Sequence, residues 1–129
     1  MFTIECTYTH GDSFGTEEDV ENLPLSWDTM EQARVALNAL KEHHKACHQY
    51  EILRHSEERD AFFDKLKKKD WFPVNSDQYM WMTGISLETR TGEKQHIQAF
   101  WNDFFGKLIK AKVVIDPESE SGSNITYLG

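Results

Sequence analysis

The sequence predicts an α+β fold: a two-layer domain with a mainly antiparallel sheet, ordered ββ-α-βββ, and one long or broken helix packed on one face. Three observations carry this reading. Apolar residues alternate at period two near both ends of the chain. Between residues 28 and 69 there is no Pro or Gly, and apolar residues recur at spacings of three and four. The connections within each strand-rich part are short, which favours antiparallel neighbours with the helix laid across them.

Phe2, Ile4, Cys6 and Tyr8 alternate with Thr3, Glu5, Thr7 and Thr9, the pattern of a strand with one buried face. Residues 11–18 interrupt it. A second extended run follows, with Leu23, Leu25 and Trp27 alternating around Asn22, Pro24 and Ser26. Pro24 cannot donate to a ladder, so this run is expected at a sheet edge. The two runs are expected to pair as a hairpin closed by a long acidic loop. Ser26 or Asp28 suits a helix N-cap, with Glu31 in the first turn.

The helical stripe runs Met30, Ala33, Ala36, Leu37, Leu40, His44 and Cys47. It weakens through Tyr50, Ile52 and Leu53, then returns at Ala61, Phe62, Phe63 and Leu66. A break is expected near His55 and Ser56. Lys65, Lys67, Lys68 and Lys69 suit a helix C-terminus, and Pro73 with Asn75-Ser76-Asp77 marks the exit. Tyr79, Trp81, Thr83, Ile85 and Leu87, then Gln95, Ile97, Ala99 and Trp101, flank a short turn at 89–93 and read as a hairpin. Residues 102–106 read as a turn or a single helical turn. Ile109, Ala111, Val113 and Ile115 form a last strand, with Lys110 and Lys112 on its other face. Residues 1–117 are expected to form a single domain. Residues 118–129 are expected as a polar, Ser-containing tail, with a short strand at its end as an open expectation.

With 129 residues, 39% of them hydrophobic and 12% aromatic, the chain can build one core and is not of disordered composition. No run approaches the ~20 apolar residues of a membrane span, and the N-terminus lacks the pattern of a signal peptide. Cys6 and Cys47 are too few for a disulfide framework, so both are expected as buried thiols in a cytoplasmic protein. The net charge of −8 is unevenly placed. Residues 1–33 carry Glu5, Asp12, Glu17, Glu18, Asp19, Glu21, Asp28 and Glu31, and no Lys or Arg; beyond them acids and bases balance. Such a field repels phosphate backbones and favours a partner with a basic surface, so direct nucleic-acid binding is not expected.

The stretch Tyr8-Thr9-His10-Gly11-Asp12-Ser13-Phe14-Gly15-Thr16 holds residue types that core packing does not require. Gly11-Asp12-Ser13-Phe14 is similar to the nucleophile block of the GDSL hydrolases. That chemistry needs a parallel sheet and a C-terminal Asp-x-x-His block, which the chain lacks, so no catalytic residue is assigned. The same residues could cradle an anionic, nucleotide-like ligand with Gly11 and Gly15 freeing the backbone, though cations would have to come from Arg34 or a neighbouring subunit. The plain reading is a structured turn in which Asp12 and Ser13 bond backbone amides. His44, Cys47 and His48 stand at a spacing that zinc sites use, with Glu51 one turn on. Cys47 also fits the apolar stripe, no fourth ligand is evident, and no metal or other cofactor is assigned.

The motif at 8–16 resembles one carried by small tailed-phage accessory proteins. The resemblance extends thinly through Leu25-x-Trp27, the Ala33/Leu37/Leu40 helix with Lys41-Glu42-His43, Ala99-x-Trp101 and a terminal Lys-Val-Val-Ile. It implies a counter-defence role, in which the protein grips a host protein or sequesters a nucleotide-like signal. The expected function is therefore non-catalytic binding and neutralisation of a host protein. The binding residues expected are Gly11, Asp12, Ser13, Phe14, Gly15, Thr16, Glu17, Glu18, Asp19, Arg34 and Trp101. Self-association is an open expectation.

Overall fold

The alternation at residues 2–9 does produce a strand, and a longer one than the apolar residues mark. A computed structural model of the chain describes residues 1–12, 15–99, 101–102 and 106–116. β1 (Phe2–Asp12) is followed by β2 (Gly15–Asn22), α1 (Met30–Leu53), α2 (Arg59–Leu66), a 3-10 helix (Met80–Thr83), β3 (Gly84–Glu88), β4 (Lys94–Gln98), β5 (Trp101–Asn102) and β6 (Gly106–Ile115). The chain is an α+β fold, and every strand pair is antiparallel. The strands divide between two sheets: β2-β1-β6-β5, and the β3-β4 hairpin.

The second strand is not where apolar alternation places it. Residues 15–22, expected within an acidic loop, form β2 and pair with β1 from Asp12↔Gly15 to Glu5↔Asn22. Backbone pairing makes this strand, since an edge strand has no need to bury both of its faces. The Leu23–Trp27 run is extended but is no strand of its own. Leu23 N–H donates to the Ile4 carbonyl, and Phe2 and Trp27 exchange two backbone bonds of 2.8 and 2.7 Å as an isolated bridge. Between them Pro24 has no N–H to give, and the Thr3 hydroxyl donates to the Leu25 carbonyl instead (2.6 Å).

α1 is capped by Thr29, rather than Ser26 or Asp28, in a capping box closed with Gln32. Its buried face is Ala33, Ala36, Leu40, His43, Ala46, Cys47 and Tyr50. α1 packs against β1, β6 and β3. The break falls between Leu53 and Arg59, where the sequence places it. The expected strand run from Tyr79 begins instead as the 3-10 helix, because Asp77 accepts the Tyr79 and Met80 N–H groups (2.8 Å each) and turns the backbone. Trp101 leaves the β3-β4 hairpin and pairs with Lys107 of β6 in the other sheet. The last strand starts at Gly106, inside the expected 102–106 turn; the rest of that turn at 103–105 and the 118–129 tail lie outside the described residues.

Ile4, Cys6, Trp27, Tyr50, Trp81 and Ile85 are fully or almost fully buried. Both cysteines are free and buried. No helix among the described residues is long and apolar enough to cross a membrane.

Candidate functional site

The acidic residues gather on a strand at the free side of a sheet. β2 is the outermost strand of its sheet, with β1 on one side and no strand among the described residues on the other. Directly paired residues of antiparallel strands share a face. Glu21 pairs with Cys6, Asp19 with Tyr8 and Glu17 with His10, so these three acids lie in a row on the Cys6/Tyr8 face. Successive members are about 7 Å apart, the two-residue repeat of a strand. Glu18 pairs with Thr9 and faces the other way, together with Val20 opposite Thr7. Glu17, Glu18, Val20 and Glu21 are exposed.

The field of these acids reaches the core. Burial first, then Glu21 and Asp19, push the Tyr8 phenol above its ordinary value. The Cys6 thiol is pushed up to about 12 by burial, with Glu21 and Glu5 adding to it. Such a thiol stays protonated and is a poor nucleophile. On the opposite face of the sheet, Lys112 of β6 pairs with Glu5 and reaches its carboxylate at 3.7 Å. The sheet is therefore mixed in charge on that face, while the β2 row on the Cys6/Tyr8 face carries acids alone.

The residues expected to act together are only partly assembled. Gly11 pairs with Thr16 and Asp12 with Gly15, so the stretch 8–16 runs along β1 into the closing end of a hairpin. Gly11 belongs to β1 and Gly15 to β2. Ser13 and Phe14 lie outside the described residues, as do the side chains of Asp12, Thr16 and Trp101. Arg34 is exposed on α1, and no ion pair joins it to another described residue. Glu17, Glu18 and Asp19 do share one strand.

The His44, Cys47, His48 set does not converge. Cys47 is buried, His48 is exposed and His44 is half-buried. Among the described residues no three His, Cys, Asp or Glu side chains are placed to hold a metal ion. The histidine on the buried face is His43, not His44. Its Nε2–H donates to the Trp81 carbonyl at 2.7 Å, and its ring stands edge-on to Trp71 and Trp81 at 5.2 and 5.8 Å. Cys47 Sγ lies 3.7 Å from the same ring. An apolar search along α1 passes over this residue, because its aromatic partners come from positions 71 and 81.

A cavity of about 520 Å³ opens between α1, the segment 68–71 and β3. Trp27, Ala36, Trp71, Ser86 and Leu87 are its buried lining. Trp27 Nε1 donates to the Glu88 carbonyl (2.8 Å), and Ser86 N–H to the Trp71 carbonyl (2.7 Å), so the lining is tied to the free edge of β3. The segment is held to α1 by Lys69 and Glu42 at 2.6 Å, and to β4 by Lys94 donating to the Asp70 carbonyl at 3.3 Å. Comparison with protein-family models, with curated proteins and with solved structures finds no match to this chain.

Proposed function

We propose that this is a non-catalytic binding protein, of the tailed-phage accessory kind its motif resembles, that grips and neutralises a host protein bearing a basic surface. The observation that carries the reading is β2: an outermost strand with acids at four of its five positions from Glu17 to Glu21. A free strand edge offers main-chain donors and acceptors to an incoming segment, and the alternate side chains select it. Acidic side chains on such an edge repel a second copy of the same strand. They attract a segment carrying Lys or Arg, and a field of one sign speeds that encounter.

Affinity capture from host lysate tests this at low and high salt. The native protein is expected to retain a basic partner at low salt and to release it as salt rises. Charge reversal of Glu17, Glu18 and Asp19 to Lys is expected to abolish the capture. A partner held equally well by the reversed variant, or no partner at low salt, would falsify the proposal.

A further inference from the structure

The cavity between α1, the segment 68–71 and β3 has the size of a small-molecule site. Its floor is mainly apolar and aromatic, with Ser86 the polar residue buried there, and Trp71 within it is only 3% exposed. Trp71 Nε1 is the buried side-chain nitrogen or oxygen, among the described residues, that finds no hydrogen-bond partner. An indole N–H can only donate, and a buried donor without an acceptor is disfavoured enough to mark a place where an acceptor belongs.

The Glu42 carboxylate lies toward this N–H. Lys69 chiefly holds it ionised, and the Trp71 N–H turned toward it adds to this without closing a hydrogen bond. Glu42 and Lys69 are each half-exposed, so their ion pair is weak and easily exchanged for another partner. Two further cations stand at the rim. Lys68 makes no ion pair with another described residue, and Lys94 donates to an uncharged carbonyl. Glu42, Asp70 and Glu88 share that rim and oppose any highly charged guest.

We propose that this cavity binds a small planar aromatic carboxylate. The ring lies on the floor of Trp27, Ala36 and Leu87. The carboxylate accepts the Trp71 N–H and draws on the charges of Lys68 and Lys94. The rim acids confine the guest to a single negative charge. This site is separate from the β2 edge, and neither depends on the other.

Isothermal titration of the full chain with naphthoate, and with naphthalenemethanol as its uncharged analogue, tests the assignment. Naphthoate is expected to bind saturably, and the alcohol about tenfold or more weaker. Trp71→Phe keeps a ring but removes the donor, and is expected to weaken naphthoate by about tenfold. Lys68→Gln, an exposed change that leaves the fold intact, is expected to weaken it as well, at an unchanged thermal midpoint. Absence of saturable heat at millimolar naphthoate overturns the proposal. So does equal binding of acid and alcohol, or full affinity in Lys68→Gln. Should Trp71→Phe fail to fold, the alcohol and Lys68→Gln decide alone.

Discussion

His43 gives its Nε2 proton to the carbonyl of Trp81 at 2.7 Å, deep in the core and in the neutral form of the ring. Burial drives its pKa from 6.5 down to about 4, against the opposing pull of the Trp81 and Gly84 backbone bonds. Between those two values the unfolded chain binds a proton that the folded chain refuses. Stability therefore climbs as pH rises from about 4 to 6.5 and is lost as pH falls through the same window. The contribution is on the order of 3 kcal/mol. Urea denaturation at pH 7 and pH 4 checks it. The native protein is expected to lose about 3 kcal/mol more than His43→Gln over that interval, and equal losses would rule the assignment out.

Trp27 joins the two sheets. Its backbone bridges Phe2 at the start of β1, and its indole N–H reaches the Glu88 carbonyl at the end of β3. Trp27→Phe keeps most of the apolar contact but strands the Glu88 carbonyl and leaves a void. A destabilisation of about 2–3 kcal/mol is expected in chemical denaturation. A loss below ~0.5 kcal/mol would show that the indole bond carries little weight.

Gly92 turns the β3-β4 hairpin at φ +88°, and an added Cβ there would meet nothing nearer than Glu88 Oε1 at 3.8 Å. Space is available, so the effect of Gly92→Ala is one of backbone conformation alone. It is expected to lower stability by about 1 kcal/mol, with Gly92→Asn milder because Asn tolerates positive φ better. Thermal unfolding of the two variants gives the order directly, and the reverse order contradicts it.

The acids of β2 also guard its edge. Replacing Glu17, Glu18 and Asp19 with Thr removes the repulsion and leaves β-branched side chains suited to pairing. The triple variant is expected to self-associate in sedimentation velocity, at concentrations where the native protein does so less. An unchanged sedimentation profile would show that some other feature protects this edge.

Sequence reading succeeds here where one buried face dictates the pattern. Phe2 to Tyr8 announce β1, Ala33 to Cys47 announce α1, and Ile109 to Ile115 announce the last strand. It fails where pairing or distant packing decides. Glu17-Glu18-Asp19-Val20-Glu21 has no apolar alternation, so β2 reads as loop, yet β1 supplies it with a full ladder. His43 looks like a surface residue until Trp71 and Trp81 close around it from sites in the second half of the chain. Tyr79 to Thr83 alternate like a strand, but local bonds from Asp77 wind them into a helical turn. The cavity beside Trp71 draws on five separate stretches of chain, and no spacing along any one of them reveals it.

The antiparallel register of β1 with β6 pairs Phe2 with Ile115, so the first strand is completed by the last one described. β1 cannot be walled in on both sides until nearly all of the intervening chain has been made. Contacts of such long sequence separation slow folding. During synthesis the β1-β2 hairpin must wait with its second flank open, a state prone to wrong pairing. A chain cut before residue 106 would keep that flank open permanently and is expected to collect in insoluble form. The acids of β2 shield one side of the waiting hairpin, and β6 is the only described strand that covers the other.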